Sequence, residues 1–117
     1  MTGLGEVVRT VAERPDVTGA VLVSADGLPI QHAARGPLEA ETVAALVATA
    51  ARHAASLTDA LALGAVETLV LECTGGLAVA ARVGAGDWLL VLPADGADVG
   101  TLLYDLRRHR PALASLL

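Results

Sequence analysis

EAETVAALVATAARHAASLTDALA, residues 39–62, decides how the chain is read. The stretch holds no Gly or Pro and keeps a single helical period throughout. Val43, Val47, Ala50, Ala54, Leu57 and Leu61 step by four and three, with Leu46 beside them. That spacing lays an aliphatic stripe along one side of a helix. Ala44, Ala48, Ala51, Ala55, Thr58 and Ala62 form a second, narrow stripe next to it. The polar remainder is thin: Glu41, Thr42, Thr49, Arg52, His53, Ser56 and Asp59. A helix that is apolar over most of its circumference needs cover on more than one side. In a chain of 117 residues one sheet can supply one cover, and the expected second cover is another molecule. The larger aliphatic side chains are expected on the sheet and the alanine stripe at the outer contact.

Working outward, LGEVVRTVAE (residues 4–13) has the spacing of a short amphipathic helix, which Arg14-Pro15 ends. AVLVSADGLPIQHAA (residues 20–34) alternates as a β-hairpin, with Asp26-Gly27 at the turn. Pro29 cannot donate to a ladder, so the returning strand belongs at a sheet edge or begins after it. Beyond the long helix, Gly64 is the expected C-cap. Strands follow over 65–73, 77–83 and 88–92, separated by Thr74-Gly75-Gly76 and Gly84–Gly86. A last helix begins at Ala97 or Asp98, and Pro111 is expected to kink or end it. The order is α-β-β-α-β-β-β-α. Its short turns predict an α+β fold in one domain spanning 1–117, with a five-stranded antiparallel sheet and helices on its faces.

Composition removes several functions. The net charge is −5 and aromatic residues make up 2% of the chain, so neither a basic phosphate-binding face nor stacking platforms for nucleic acid are expected. All eight basic residues are arginine, and without lysine a P-loop is impossible. His32, His53 and His109 lie on separate elements without ligand spacing, so no metal site is expected. No cofactor motif is present. Cys73, the single cysteine, reads as a small hydrophobe on a strand and fits a reducing compartment. Glu39 and Glu41 fall in the first turn of the long helix, where the helix dipole accounts for them. No span is apolar enough to enter a bilayer, and the start lacks a leader pattern, so a cytoplasmic protein is expected. Nothing in the pattern is an enzyme's apparatus. Arg107-Arg108-His109-Arg110 is the one dense basic cluster. It reads either as complement to a helix C-terminus or as a docking patch for an acidic partner.

The element order, the hairpin VLVSADGLPI, the Ala-rich helix and the meander GGLAVAARVGAGDWLLVL together resemble the Roadblock (dynein light chain 7) family over nearly the whole chain. The resemblance implies a sheet with the long helix on one face and the terminal helices on the other. It also implies a homodimer with long helices side by side and the following strand paired across the two-fold. In this sequence that interface comprises Ala44, Val47, Ala48, Ala51, Ala55, Thr58, Val66, Thr68 and Val70. Similar bacterial proteins act with small Ras-like GTPases, so the implied function is a non-catalytic, homodimeric GTPase regulator. Arg35, Arg52 and His53 are the candidate partner contacts. The alternative is a scaffold module of a kinase- or motor-type assembly with no effect on a nucleotide cycle. Ala51→Glu is then expected to split the dimer and spare the fold.

Overall fold

The computed structural model describes residues 3–117. Helix α1 covers Leu4–Ala12, and the hairpin strands β1 and β2 cover Val17–Val23 and Pro29–Ala34. The long helix α2 runs from Ala40 to Ala60. Strands β3, β4 and β5 are Thr68–Cys73, Gly76–Val83 and Asp87–Pro93, and helix α3 is Val99–Ala114. The strands form one antiparallel sheet in the order β2-β1-β5-β4-β3, as the short turns predict. Pro29 does lie on an edge strand, where its missing N–H costs no ladder bond.

Two cores divide the sheet's faces. On one, Val8, Ala20, Leu22, Val79, Leu89, Val91, Leu102 and Leu106 pack beneath α1 and α3. On the other, Val21, Val23, Ala80, Trp88 and Leu90 pack beneath α2 with Ala44 and Ala51. The period-2 alternation of β1, β4 and β5 sends successive side chains into opposite cores. Those strands are buried on both sides, and their near-continuous apolar sequences reflect it.

The long helix sits the other way round from the sequence expectation. Ala40, Ala44, Ala48 and Ala51 are its buried residues. Leu46, Leu57 and Leu61 are 62%, 61% and 56% exposed. The physical reason is the hairpin turn. A Cβ on Gly27 would lie 3.3 Å from both the Ala45 Cα and the Ala48 Cβ, so only small residues let helix and turn approach. Gly27 itself has φ +84°. The turn is held by Ser24, whose carbonyl accepts from the Gly27 N–H and whose hydroxyl accepts from the Leu28 N–H. Larger side chains in the alanine stripe would lift the helix off the sheet, so that stripe faces inward; Val43 and Val47 flank it, packed partly against the same core, and the leucines are left outside.

Both helix ends differ from expectation too. α2 closes before Gly64: the Leu63 N–H donates to the Thr58 carbonyl and the Ala62 N–H to that of Asp59. These are the two bonds of a Schellman motif, and they put Ala62, with φ +56°, in the left-handed position that glycine usually fills. Pro111 does not end α3, which continues to Ala114 because Leu113 is anchored in the core at 2% exposure. Pro111 and Arg107 are exposed, so water can satisfy the Arg107 carbonyl that has lost its helical donor. The arginine cluster therefore lies short of the helix end, and the last turn holds no basic residue. Asp98 caps the other end, its carboxylate accepting from the Thr101 N–H, and that bond lowers the Asp98 pKa.

Two substitutions test this account. Ala62→Gly relieves the left-handed strain and should stabilise the fold by about 0.5–1 kcal/mol in urea denaturation. Ala51→Glu buries a carboxylate against the sheet and should destabilise by roughly 3 kcal/mol or more, whereas Ala55→Glu, at an exposed position, should leave stability near wild type.

Candidate functional site

α2 lies over β1, β2 and β5, so it covers little more than half of its sheet face. The remainder, over β4 and β3, is open. There the outward aliphatics of α2 (Val43, Leu46, Val47 and Ala50) face Leu69 and Leu71 of β3, with Ala78 and Leu92 on the floor. Together they enclose an apolar groove of about 380 Å³. Leu69 pairs with Ala80 and Leu71 with Ala78 across the β3–β4 ladder, which fixes both leucines on the α2 face. Leu71 is 54% exposed. β3 is also a sheet edge, so its outer row of backbone groups has no strand partner within the chain. An open apolar groove beside an unpaired edge is a surface that calls for a partner.

The interface residues expected from sequence fall into three groups. Ala44, Ala48 and Ala51 are 0%, 4% and 7% exposed and cannot meet a partner; they seat α2 on its own sheet. Val47 lines the groove, and Val66 packs against the α2-side core. Ala55 is exposed and Thr58 half-buried on the last turns of α2. Thr68 and Val70 belong to the edge strand but point to the opposite face, since Val70 pairs with Val79 of the other core. Sequence reasoning missed Leu46, Leu69 and Leu71. Period-2 parity on β3 carried the signal for the two strand leucines, but which parity faced α2 could not be known without the register.

The candidate contact residues do not converge. Arg52 and His53 are exposed on α2, with the Arg52 Nη2 donating to the Thr49 hydroxyl at 3.2 Å. Arg35 lies elsewhere and serves the fold: its Nη2 donates to the Arg14 carbonyl at 2.9 Å and to that of Glu13 at 3.4 Å, at the end of α1. The ion pairs within the described residues centre on Arg14. It binds Asp16 through Nε and Nη2 and Asp105 through Nη1, all at 2.9 Å, tying the α1–β1 turn to α3. The hydrogen bond from Arg14 lowers the Asp16 pKa against a smaller desolvation effect, and the same bond raises that of Arg14. No group of three or more potential metal ligands occurs among the described residues, and no helix there is long and apolar enough to cross a membrane.

These features define an α/β/α sandwich whose central sheet is left half covered on one face. The chain belongs to the Roadblock/LC7 domain family, whose model matches residues 3–93. Among solved structures it is similar to a Roadblock/LC7 domain from Streptomyces avermitilis, with 29% identity and a TM-score of 0.81 over 96% of this chain and 98% of that one. Gliding protein MglB from Thermus thermophilus shares the fold at 20% identity and a TM-score of 0.85, over 99% and 93% of the two chains. MglB from Myxococcus xanthus does so at 15% identity and a TM-score of 0.88, over 96% and 92%. A search of curated proteins gives no significant match.

The Arg14 cluster makes a pH prediction. Asp16 has a lowered folded-state pKa, so its stabilisation is present above the unfolded value near about 4 and is lost as pH falls through the folded value. Arg14→Met should cost about 1 kcal/mol at pH 7, and the gap to wild type should shrink by pH 3, read by urea denaturation at both pH values.

Proposed function

We propose that the chain is a non-catalytic homodimer that regulates a small Ras-like GTPase. The observation that carries it is the apolar groove formed by α2 and β3 beside the free β3 edge. A second copy satisfies every part of that surface at once. Its β3 continues the sheet, and its α2 lays the same aliphatic stripe over the uncovered strands. An isologous two-fold makes such a surface self-complementary. The interface is then built on Leu46, Val47, Leu69 and Leu71, with Ala55, Thr58 and Val66 at its margins, rather than on the inward alanines.

Family membership and the likeness to MglB support a GTPase as the partner. The exposed side of α2, carrying Arg52 and His53, is the surface it would meet. A regulator of this kind acts by differential affinity for the nucleotide states of its partner. No arginine is assigned a catalytic role.

Light scattering at micromolar concentration should report two copies. Leu46→Glu combined with Leu71→Glu places carboxylates in the groove and should weaken dimerisation at least about 100-fold, with the circular dichroism of the wild type retained. A wild-type monomer would sink the dimer. For the partner, hydrolysis and nucleotide release by a small Ras-like GTPase that binds the protein should change by roughly fivefold to 100-fold when the protein is added. Binding without any change in rate would point instead to the scaffold role.

A further inference from the structure

On the face opposite the groove, α3 stands over β4 and leaves β3 open. Val70 points to that face and is 47% exposed. Arg110 reaches from α3 to the start of β3, where its Nη2 donates to the Thr68 hydroxyl at 3.3 Å and the Glu67 carbonyl at 3.4 Å. Both acceptors are neutral and both bonds are long. The Arg110 Nε is buried with no partner. Arg107 precedes it by three residues on the same flank of the helix and is exposed. Among the described residues neither arginine has a carboxylate within 4 Å; Arg14 holds the ion pairs found there. A partly desolvated guanidinium facing neutral acceptors is poorly compensated, and a carboxylate is the ligand that compensates it best. The arginines also lie short of the helix end, so the dipole does not account for them.

We propose that the open strip of β3 beside α3 binds an acidic, extended segment of a partner protein. Its carboxylates meet Arg107 and Arg110, and an apolar side chain between them covers Val70. The exposed Val70 side chain favours a peptide over free phosphate. The net charge of −5 disfavours a polyanion such as nucleic acid. Glu72, on the same strand face at its far end, sets a limit, since a third carboxylate there would be repelled. The surface lies on the other side of the sheet from the groove assigned to a second copy, and a second copy's β3 added at the edge would border it.

The probe is the peptide acetyl-Glu-Glu-Leu-Glu-Glu-Leu-Glu-amide, titrated into the full-length isotope-labelled chain and followed by amide chemical shifts. Shifts are expected at Thr68, Val70, Arg107 and Arg110, saturating at millimolar peptide or below. Arg107→Glu, at an exposed position, should weaken binding about fivefold without disturbing the remaining spectrum. Val70→Ser should weaken it while leaving the salt dependence intact. Arg110→Gln is a secondary variant, because it can loosen the α3–β3 contact. The proposal is overturned by absent shifts, by shifts centred elsewhere, or by an affinity that Arg107→Glu leaves unchanged. It is equally overturned if inorganic phosphate reproduces the shifts, or if vesicles of phosphatidylglycerol bind and the peptide does not.

Discussion

The structure depends on how closely α2 approaches the β1–β2 turn. A Cβ at Gly27 would lie 3.3 Å from the Ala45 Cα and the Ala48 Cβ, closer than ordinary van der Waals contact. Everything about the long helix follows from that contact. The Ala44, Ala48 and Ala51 stripe faces in, Leu46, Leu57 and Leu61 are left outside, and the helix settles over β1, β2 and β5 rather than centrally. A helix buried through alanine gains little apolar area for each residue, roughly one methyl group apiece. The area forgone lies on the outer stripe, where Leu46, Leu57 and Leu61 remain exposed.

That imbalance links fold to function. A chain that leaves an apolar groove beside an unpaired strand edge exposes itself to non-specific association unless one partner fits both features. The opposite face is organised differently. There α1 and α3 bury their apolar sides, Arg14 ties the α1–β1 turn to α3, and only the strip along β3 is left open. The two faces thus present different chemistry: an aliphatic surface beside α2, and an arginine-lined one beside α3.

Much of the architecture was legible in the sequence. The Asp26-Gly27 turn, the placement of Pro29 on an edge, the meander of three strands and the helical periods all follow from local rules, and the order of elements came from these alone. Local rules failed where tertiary contacts outweighed them. Pro111 signals a helix end, yet Leu113 draws another turn into the core. Gly64 signals a cap, yet Ala62 takes the left-handed position because the Schellman bonds form there.

The sequence by itself determined that residues 39–62 form a helix with two distinct apolar stripes, and that one sheet could not cover both. Periodicity carries that information because it depends only on the helical repeat. It could not determine which stripe turns inward, because both are apolar and hydrophobicity does not separate them. Steric fit separates them, and it became visible only when the fold brought Gly27, from the preceding hairpin, against Ala45 and Ala48. The tertiary structure therefore decided the site: the groove belongs to Leu46, Leu69 and Leu71, and the alanines hold the helix in place beneath it.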